Sequence, residues 1–221
     1  LFDREIERLE SLPAIVLAAG ASSRMGRAKP LLPVGGRLCL ERVIDAFREA
    51  GSAPIVVVLG PGAEEISRSV ALGGDEAPDL IPVVNEDWER GQTSSVKAGL
   101  QALPGGFRAV FVMPADHPLV AAADIRMLAR RFDAGVAGRS IFIPTWEGRR
   151  GHPLLVGSEH AEAILGMGDD EPLHAHLRAH ADTIEHLPAS GPGVVMGMNT
   201  EGEYRAVIEA LGSLAEGHSG D

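Results

Sequence analysis

Leu17-Ala18-Ala19-Gly20-Ala21-Ser22-Ser23-Arg24-Met25-Gly26-Arg27-Ala28-Lys29 continues the apolar run Ala14-Ile15-Val16, and together they predict a strand that opens into a glycine-rich loop. Small side chains let backbone N–H groups approach an anion, and Gly20 and Gly26 widen the accessible φ range. Ser22 and Ser23 add hydroxyls, and Arg24 and Lys29 add positive charge, a set suited to a triphosphate. Two commoner phosphate loops are excluded. A Walker loop needs a lysine directly after its second glycine, a dinucleotide fingerprint needs G-x-G-x-x-G, and neither spacing occurs here. A lone glycine loop can also be a tight strand-to-helix turn with Arg24 and Lys29 merely solvated.

The same stretch resembles, position by position, the signature L-A-A-G-x-S-x-R-M-G-x-x-K of the nucleotidyltransferases with a doubly wound α/β fold, most closely the molybdenum cofactor cytidylyltransferases. Its continuation K-x-L-L-P-x-G-G-x-x-L is followed from Lys29 to Gly36, with Cys39 where the last leucine would stand. The resemblance implies a glycosyltransferase-A-like nucleotidyltransferase domain in which Arg24 and Lys29 act on the triphosphate. Leu17, Ala18, Ala19, Gly20, Ser22, Ser23 and Gly26 would line the nucleotide.

Patterning along the chain predicts a single domain over 13–212, preceded by a lead-in helix over 1–12 and followed by a disordered tail over 213–221. Expected strands are 14–17, 54–60, 80–84, 108–113, 139–144, 183–187 and 194–196. The run Ile55-Val56-Val57-Val58-Leu59 is continuous, as in a parallel strand covered on both faces. Expected helices are 38–50, 63–72, one capped by Thr93 or Ser94, 121–132, one from 159, and 201–211 ended by Gly212. Such alternation predicts a doubly wound, mostly parallel sheet with helices on both faces. Pro30 to Gly36 reads as a rigid connection.

Further segments carry the resemblance. Asn85 to Ser95 follows N-x-x-W-x-x-G-x-x-S-S, which assigns Asn85, Ser94 and Ser95 to the nucleotide, while Thr93 or Ser94 is also a sound helix cap. Asp116-His117-Pro118 matches the magnesium motif D-x-P, with His117 where the cytidylyltransferases usually have glutamine. Gly197 to Tyr204 partly matches D-x-[DN]-T-P-E-D-Y and puts Asn199 at a second Mg²⁺-ligand position, while Thr200 can cap the last helix. Arg149-Arg150-Gly151-His152-Pro153 resembles R-x-G-H-P on the acceptor side, implicating Arg150 and His152. The segment 168–178 keeps Gly168-Asp169 and then departs from G-D-x-G-A-R, which concerns the acceptor more than the chemistry. His176 and His180 stand one helical turn apart, as metal ligands can, although a solvated helix face is the commoner fate.

The 221 residues, 45% of them hydrophobic, suit one sizeable core, and the net charge of −11 argues against a broad nucleic-acid surface. No apolar run reaches the roughly 18 to 20 residues of a membrane span, and no signal peptide is seen, so a cytoplasmic location is expected. The start at Leu1 instead of methionine points to processing or trimming. The single cysteine, Cys39, excludes an internal disulfide and reads as packing. By resemblance the reaction is Mg²⁺-dependent transfer of CMP from CTP to the phosphate of molybdopterin, and a molybdenum hydroxylase would receive the product. A sugar or polyol phosphate acceptor and a non-catalytic nucleotide or cofactor carrier are the alternatives.

Overall fold

The computed structural model describes residues 11–20, 28–74 and 77–217. The expected lead-in helix and the loop positions Ser22, Ser23, Arg24 and Gly26 lie outside the described residues. The elements, in chain order, are β1 (Ala14–Ala18), β2 (Pro33–Val34), β3 (Arg37–Leu38), α1 (Cys39–Ala50), β4 (Ile55–Leu59), α2 (Ala63–Val70), β5 (Leu80–Val84), α3 (Gln92–Ala102) and β6 (Ala109–Pro114). They continue with α4 (Ala122–Asp133), β7 (Ile141–Trp146), β8 (Arg149–Arg150), β9 (Leu154–Gly157), α5 (Ser158–Leu165), α6 (Leu173–Ala179), β10 (Ile184–Pro188) and α7 (Glu201–Gly217).

The main sheet has the order β10-β7-β9-β6-β1-β4-β5, with β8 on β7. All pairs along that order are parallel except the two that β9 makes, with β6 and with β7. Strand alternation sends Ala14 and Val16 to one face and Ile15 to the other. Leu40, Val43, Ile44 and Phe47 of α1, with Ile125 and Leu128 of α4, cover the first face. Val96 and Leu100 of α3, with Ala161 and Ile164 of α5, cover the second. Gly99 lets α3 lie against β1, since a methyl there would run into the Ile15 side chain.

The chain leaves β1 toward β4 and β5 and returns from β5 to β6 on the other side of β1. That reversal of direction makes the C-terminal ends of β1 and β6 the topological switch point, where doubly wound sheets bind ligands.

Three local expectations are corrected. Residues 194–196 are not a strand: Pro192–Val195 is a 3-10 turn, because Pro192 has no N–H for a ladder and Gly193 sits against the Leu119 carbonyl with no room for a Cβ. α7 runs through Gly212 to Gly217. A glycine ends a helix when it turns left-handed, and Gly212 is not among the positive-φ glycines. The expected connection over 30–36 holds a 3-10 turn at Lys29–Leu31 and then a hairpin, β2 with β3, whose Gly35 and Gly36 both have positive φ (58° and 80°). Among the described residues no helix is long and apolar enough to cross a membrane.

Candidate active site

A cleft of about 350 Å³ opens at the switch point, within the size range of small-molecule sites. Its first wall is Leu17, Ala18, Ala19 and Gly20 at the end of β1, with Lys29 and Pro30. Trp88, Glu89, Gly91, Gln92 and Ser95 form the second wall, and Pro114, Ala115 and Asp116 at the end of β6 form the third. Gly60 permits this packing, since a Cβ there would sit 2.6 Å from the Ala19 carbonyl oxygen.

Asp116 is the chemical centre of the third wall. Its Oδ1 lies 2.9 Å from His117 Nδ1, and its Oδ2 lies 3.6 Å from Lys29 Nζ. Lys29 Nζ also donates to Asn199 Oδ1 at 2.8 Å. Burial pushes the Asp116 carboxyl up, but the His117 hydrogen bond and the charges of His117, Lys29 and His152 outweigh it and hold the group below its ordinary value. Asp116 is therefore an anion at neutral pH. The loop that carries it is braced from below, where the buried Cys39 thiol donates to the Ala115 carbonyl at 3.0 Å. Burial first and the Asp116 charge second push that thiol far up, so Cys39 stays protonated and structural.

Asn199 reaches this point because the start of α7 is firmly capped. Glu203 Oε2 accepts from the backbone N–H groups of Asn199 (2.7 Å) and Thr200 (2.9 Å), and Thr200 Oγ1 accepts from Glu203 N at 3.2 Å, a reciprocal capping box. The expected cap at Thr200 is present, and the Asn199 side chain is left to project toward Lys29.

Asn85, Ser94 and Ser95 come together, but mostly beneath the cleft. Asn85 and Ser94 are buried and do not line it, whereas Ser95 does. Asn85 Nδ2 donates to the Ser94 and Ser95 hydroxyls at 2.9 and 3.0 Å, while its Oδ1 accepts from Asp87 N at 3.0 Å. The Ser94 hydroxyl points back at the Gly91 carbonyl, 2.8 Å away. Ser94 is thus not the helix cap; α3 begins at Gln92 after Gly91, whose φ of 121° favours glycine. These polar groups hold the Trp88 turn over the cleft. Asp169 braces the same turn from outside, bridging Arg90 Nη1 at 2.7 Å and Lys97 Nζ at 2.6 Å. Asn85→Ala removes three hydrogen bonds, two of them buried, and is expected to cost about 1–3 kcal/mol, seen as a lower melting temperature. It should also raise KM for the nucleotide more than it lowers kcat; an unchanged melt and unchanged KM would show that the turn holds itself.

The two acceptor-side candidates part company. Arg150 is exposed on β8 and does not line the cleft, and its charge is felt by His186 on β10. His152 instead packs edge-on against His117, ring centroids 5.0 Å apart. Its buried Nδ1 has no hydrogen-bond partner among the described residues. Burial, with the His117 charge adding, pushes the His152 imidazole down to about 4. Asp116, His117 and His152 therefore form a connected row at one edge of the site. His117 was visible in the sequence only as a departure from D-Q-P, and Pro30, Glu89 and Gln92 carry no motif signal beyond their neighbours.

The donors suit a hard divalent cation. Asp116 and Asn199 offer oxygen atoms, and the fact that one ammonium touches both places these atoms around a common point.

A cleft of this kind, where the sheet reverses direction, puts the chain in the class of nucleotide-handling doubly wound α/β proteins. Within that class the chain belongs to the family described as the MobA-like NTP transferase domain, whose model matches residues 14–184. It is 36% identical over 187 residues to a bifunctional IspD/IspF enzyme of Solidesulfovibrio magneticus, covering 77% of this chain and 46% of that one. The chain spans less than half the length of the curated relatives it matches first. Among solved structures, a Mycobacterium tuberculosis protein in complex with manganese superposes with a TM-score of 0.70 at 25% identity, over 90% of this chain and 98% of that one. Molybdopterin-guanine dinucleotide biosynthesis protein A of Archaeoglobus fulgidus shares the fold, with a TM-score of 0.64 at 15% identity over 91% of this chain and all of the other (100%).

Proposed function

We propose that this chain is a nucleotidyltransferase that moves CMP from CTP to the phosphate of a molybdopterin-type acceptor, with release of pyrophosphate. The observation that carries the reading is the meeting of Lys29, Asp116 and Asn199 beside a cleft whose first wall is Leu17 to Gly20 with Lys29 and Pro30. The residues of α3 nearest the cleft, Gln92 and Ser95, belong to its first turn, where unpaired N–H groups and the positive end of the helix dipole favour phosphate. A divalent cation, Mg²⁺ in this reading, would be held by Asp116 and Asn199 and would neutralise charge on the triphosphate. Lys29, with Arg24 from the same loop, holds the phosphates and stabilises the charge that gathers as the bond breaks.

An acceptor phosphate oxygen attacks the α-phosphorus in line; the new O–P bond forms as the bond from the α-phosphorus to the bridging oxygen breaks, and pyrophosphate leaves with that electron pair. No general base is needed. A phosphate monoester loses its second proton at about pH 6, so the nucleophile is already largely a dianion, and catalysis reduces to positioning and electrostatics. His152, neutral and joined to Asp116 through His117, marks the acceptor edge of the site.

The base is assigned from Ala19, which lines the cleft next to Gly20; by resemblance L-A-A-G accompanies CTP and L-A-G-G accompanies GTP. A methyl at this position favours the smaller pyrimidine by about 1–3 kcal/mol. Purified protein, Mg²⁺, molybdopterin and CTP should yield the cytosine dinucleotide by mass, with GTP giving far less of the guanine dinucleotide, and Ala19→Gly should narrow the preference. Equal or better kcat/KM with GTP overturns the base assignment. A second reading, transfer to a sugar or polyol phosphate, is favoured by the departure from G-D-x-G-A-R after Asp169. Turnover with such acceptors and none with molybdopterin would select it, and nucleotide binding without pyrophosphate release would select a carrier.

A further inference from the structure

Three imidazoles meet at the opposite edge of the sheet from the cleft. β6 and β7 each pair antiparallel with β9 and so run in the same direction, which puts Ser140, just before β7, at the edge remote from Asp116. There His160 of α5 and His176 of α6 come within 3.1 Å, Nδ1 to Nε2, both almost fully buried at 4% and 7% exposure. His180, directly after α6, joins them with its ring centroid 4.3 Å from His176 and 5.0 Å from His160. Each offers a ring nitrogen, and the three lie within 4.8 Å of one another. The solvated helix face expected for His176 and His180 is therefore absent: His176 turns inward to meet a third histidine, 16 residues earlier in the chain.

We propose that His160, His176 and His180 form a divalent transition-metal site, filled by Zn²⁺ with water as the fourth ligand, that clips α6 to α5. Zinc binds histidine nitrogen at about 2.0–2.1 Å, so neighbouring ligands of a tetrahedral site stand about 3.3 Å apart, close to the His160–His176 spacing. A modest swing of the half-buried His180 ring completes the set. Imidazole donors without a carboxylate suit zinc and its neighbours and not Mg²⁺ or Ca²⁺. The outer contacts already orient the rings. His180 Nδ1 lies 3.0 Å from the His176 carbonyl, which can only accept, so Nδ1 carries the proton and Nε2 presents its lone pair. Ser140 Oγ holds His160 Nε2 at 2.7 Å, which turns Nδ1 toward the common centre.

The clip would secure a short element. α6 has seven residues, and the turn before it is tied to α3 where Thr93 Oγ1 donates to the Glu171 carbonyl at 2.6 Å.

The test uses the full chain, stripped with EDTA and dialysed, with Zn²⁺ alone as the probe. The Asp116→Asn background removes the cleft carboxylate. Calorimetry on that background should show one equivalent bound, and Co²⁺ in place of Zn²⁺ should give the intense visible bands of a four-coordinate site. His180→Ala, at the half-buried position, should weaken binding by more than about 100-fold and Ser140→Ala by about 10-fold, since even an outer-shell partner is worth roughly 10- to 100-fold. His174→Ala, on the exposed part of the same helix, should bind as the parent does. Zn²⁺ at 100 times its Kd should raise the melting temperature by roughly 5–10 °C in the parent and not in His180→Ala. No zinc uptake in the Asp116→Asn chain, or equal affinity in a His180→Ala chain with a native circular dichroism spectrum, overturns the site.

Discussion

Asp116→Asn is expected to lower turnover by about 10³-fold or more, with little change in folding. The amide keeps the shape of the carboxyl and one oxygen to accept from His117, now 2.9 Å away, while Lys29 retains its hydrogen bond to Asn199. What is lost is the negative charge, and a neutral oxygen holds a hard divalent cation far more weakly than a carboxylate does. The loss should exceed the 10²–10³ that follows removal of a single preorganised donor, because the triphosphate would also lose its counter-charge. Asn199→Ala should be milder, since only an amide is removed, and Asn199→Asp should be tolerated. The measurement is a Mg²⁺ titration of pyrophosphate release beside a thermal melt for each variant. Normal turnover in Asp116→Asn, or a loss explained entirely by unfolding, would leave Asp116 as a structural partner of His117 and send the metal elsewhere.

Lys29→Ala should reduce kcat by about 10² to 10³ and leave metal binding unchanged or tighter. The ammonium lies on Asn199 Oδ1 and beside Asp116 Oδ2, so it competes with a divalent cation for the same oxygens. Its removal frees those atoms, yet takes from the site a positive charge that faces the phosphates. The two effects are separated by measuring kcat at saturating Mg²⁺ and the Mg²⁺ concentration for half-maximal rate. A near-normal kcat would falsify the catalytic role and make Lys29 a spacer between carboxylate and amide.

Much of this site could be read directly from the sequence, because its parts are local. A strand followed by a glycine-rich loop, and an Asp three residues past a run such as Val110-Phe111-Val112-Met113, are set by residues adjacent in the chain. Asn85 shows where that reading stops. Its spacing to Ser94 and Ser95 is a sequence pattern, but whether the amide faces a ligand or the protein depends on which way the Trp88 turn folds back. In the structure the Asn85 amide donates to both serine hydroxyls beneath the cleft, and of the three residues only Ser95 also lines it. Arg150 and His152 diverge for a related reason: one stays on an exposed hairpin edge, and the other is drawn inward against His117.

The sequence by itself determined the alternation of strands and helices, the doubly wound class, the phosphate-suited loop and the acidic position after the fourth long strand. These follow from apolar periodicity and from what glycine, proline and carboxylate can do within a few residues. Tertiary structure alone decided which distant groups share a point in space. Lys29 meets Asn199 across 170 residues, and His160 joins His176 from another helix, because the order in which strands enter the sheet sets which ends coincide. Side-chain period constrains the face a residue takes on its own element; only the packing of one element on another determines what that face meets.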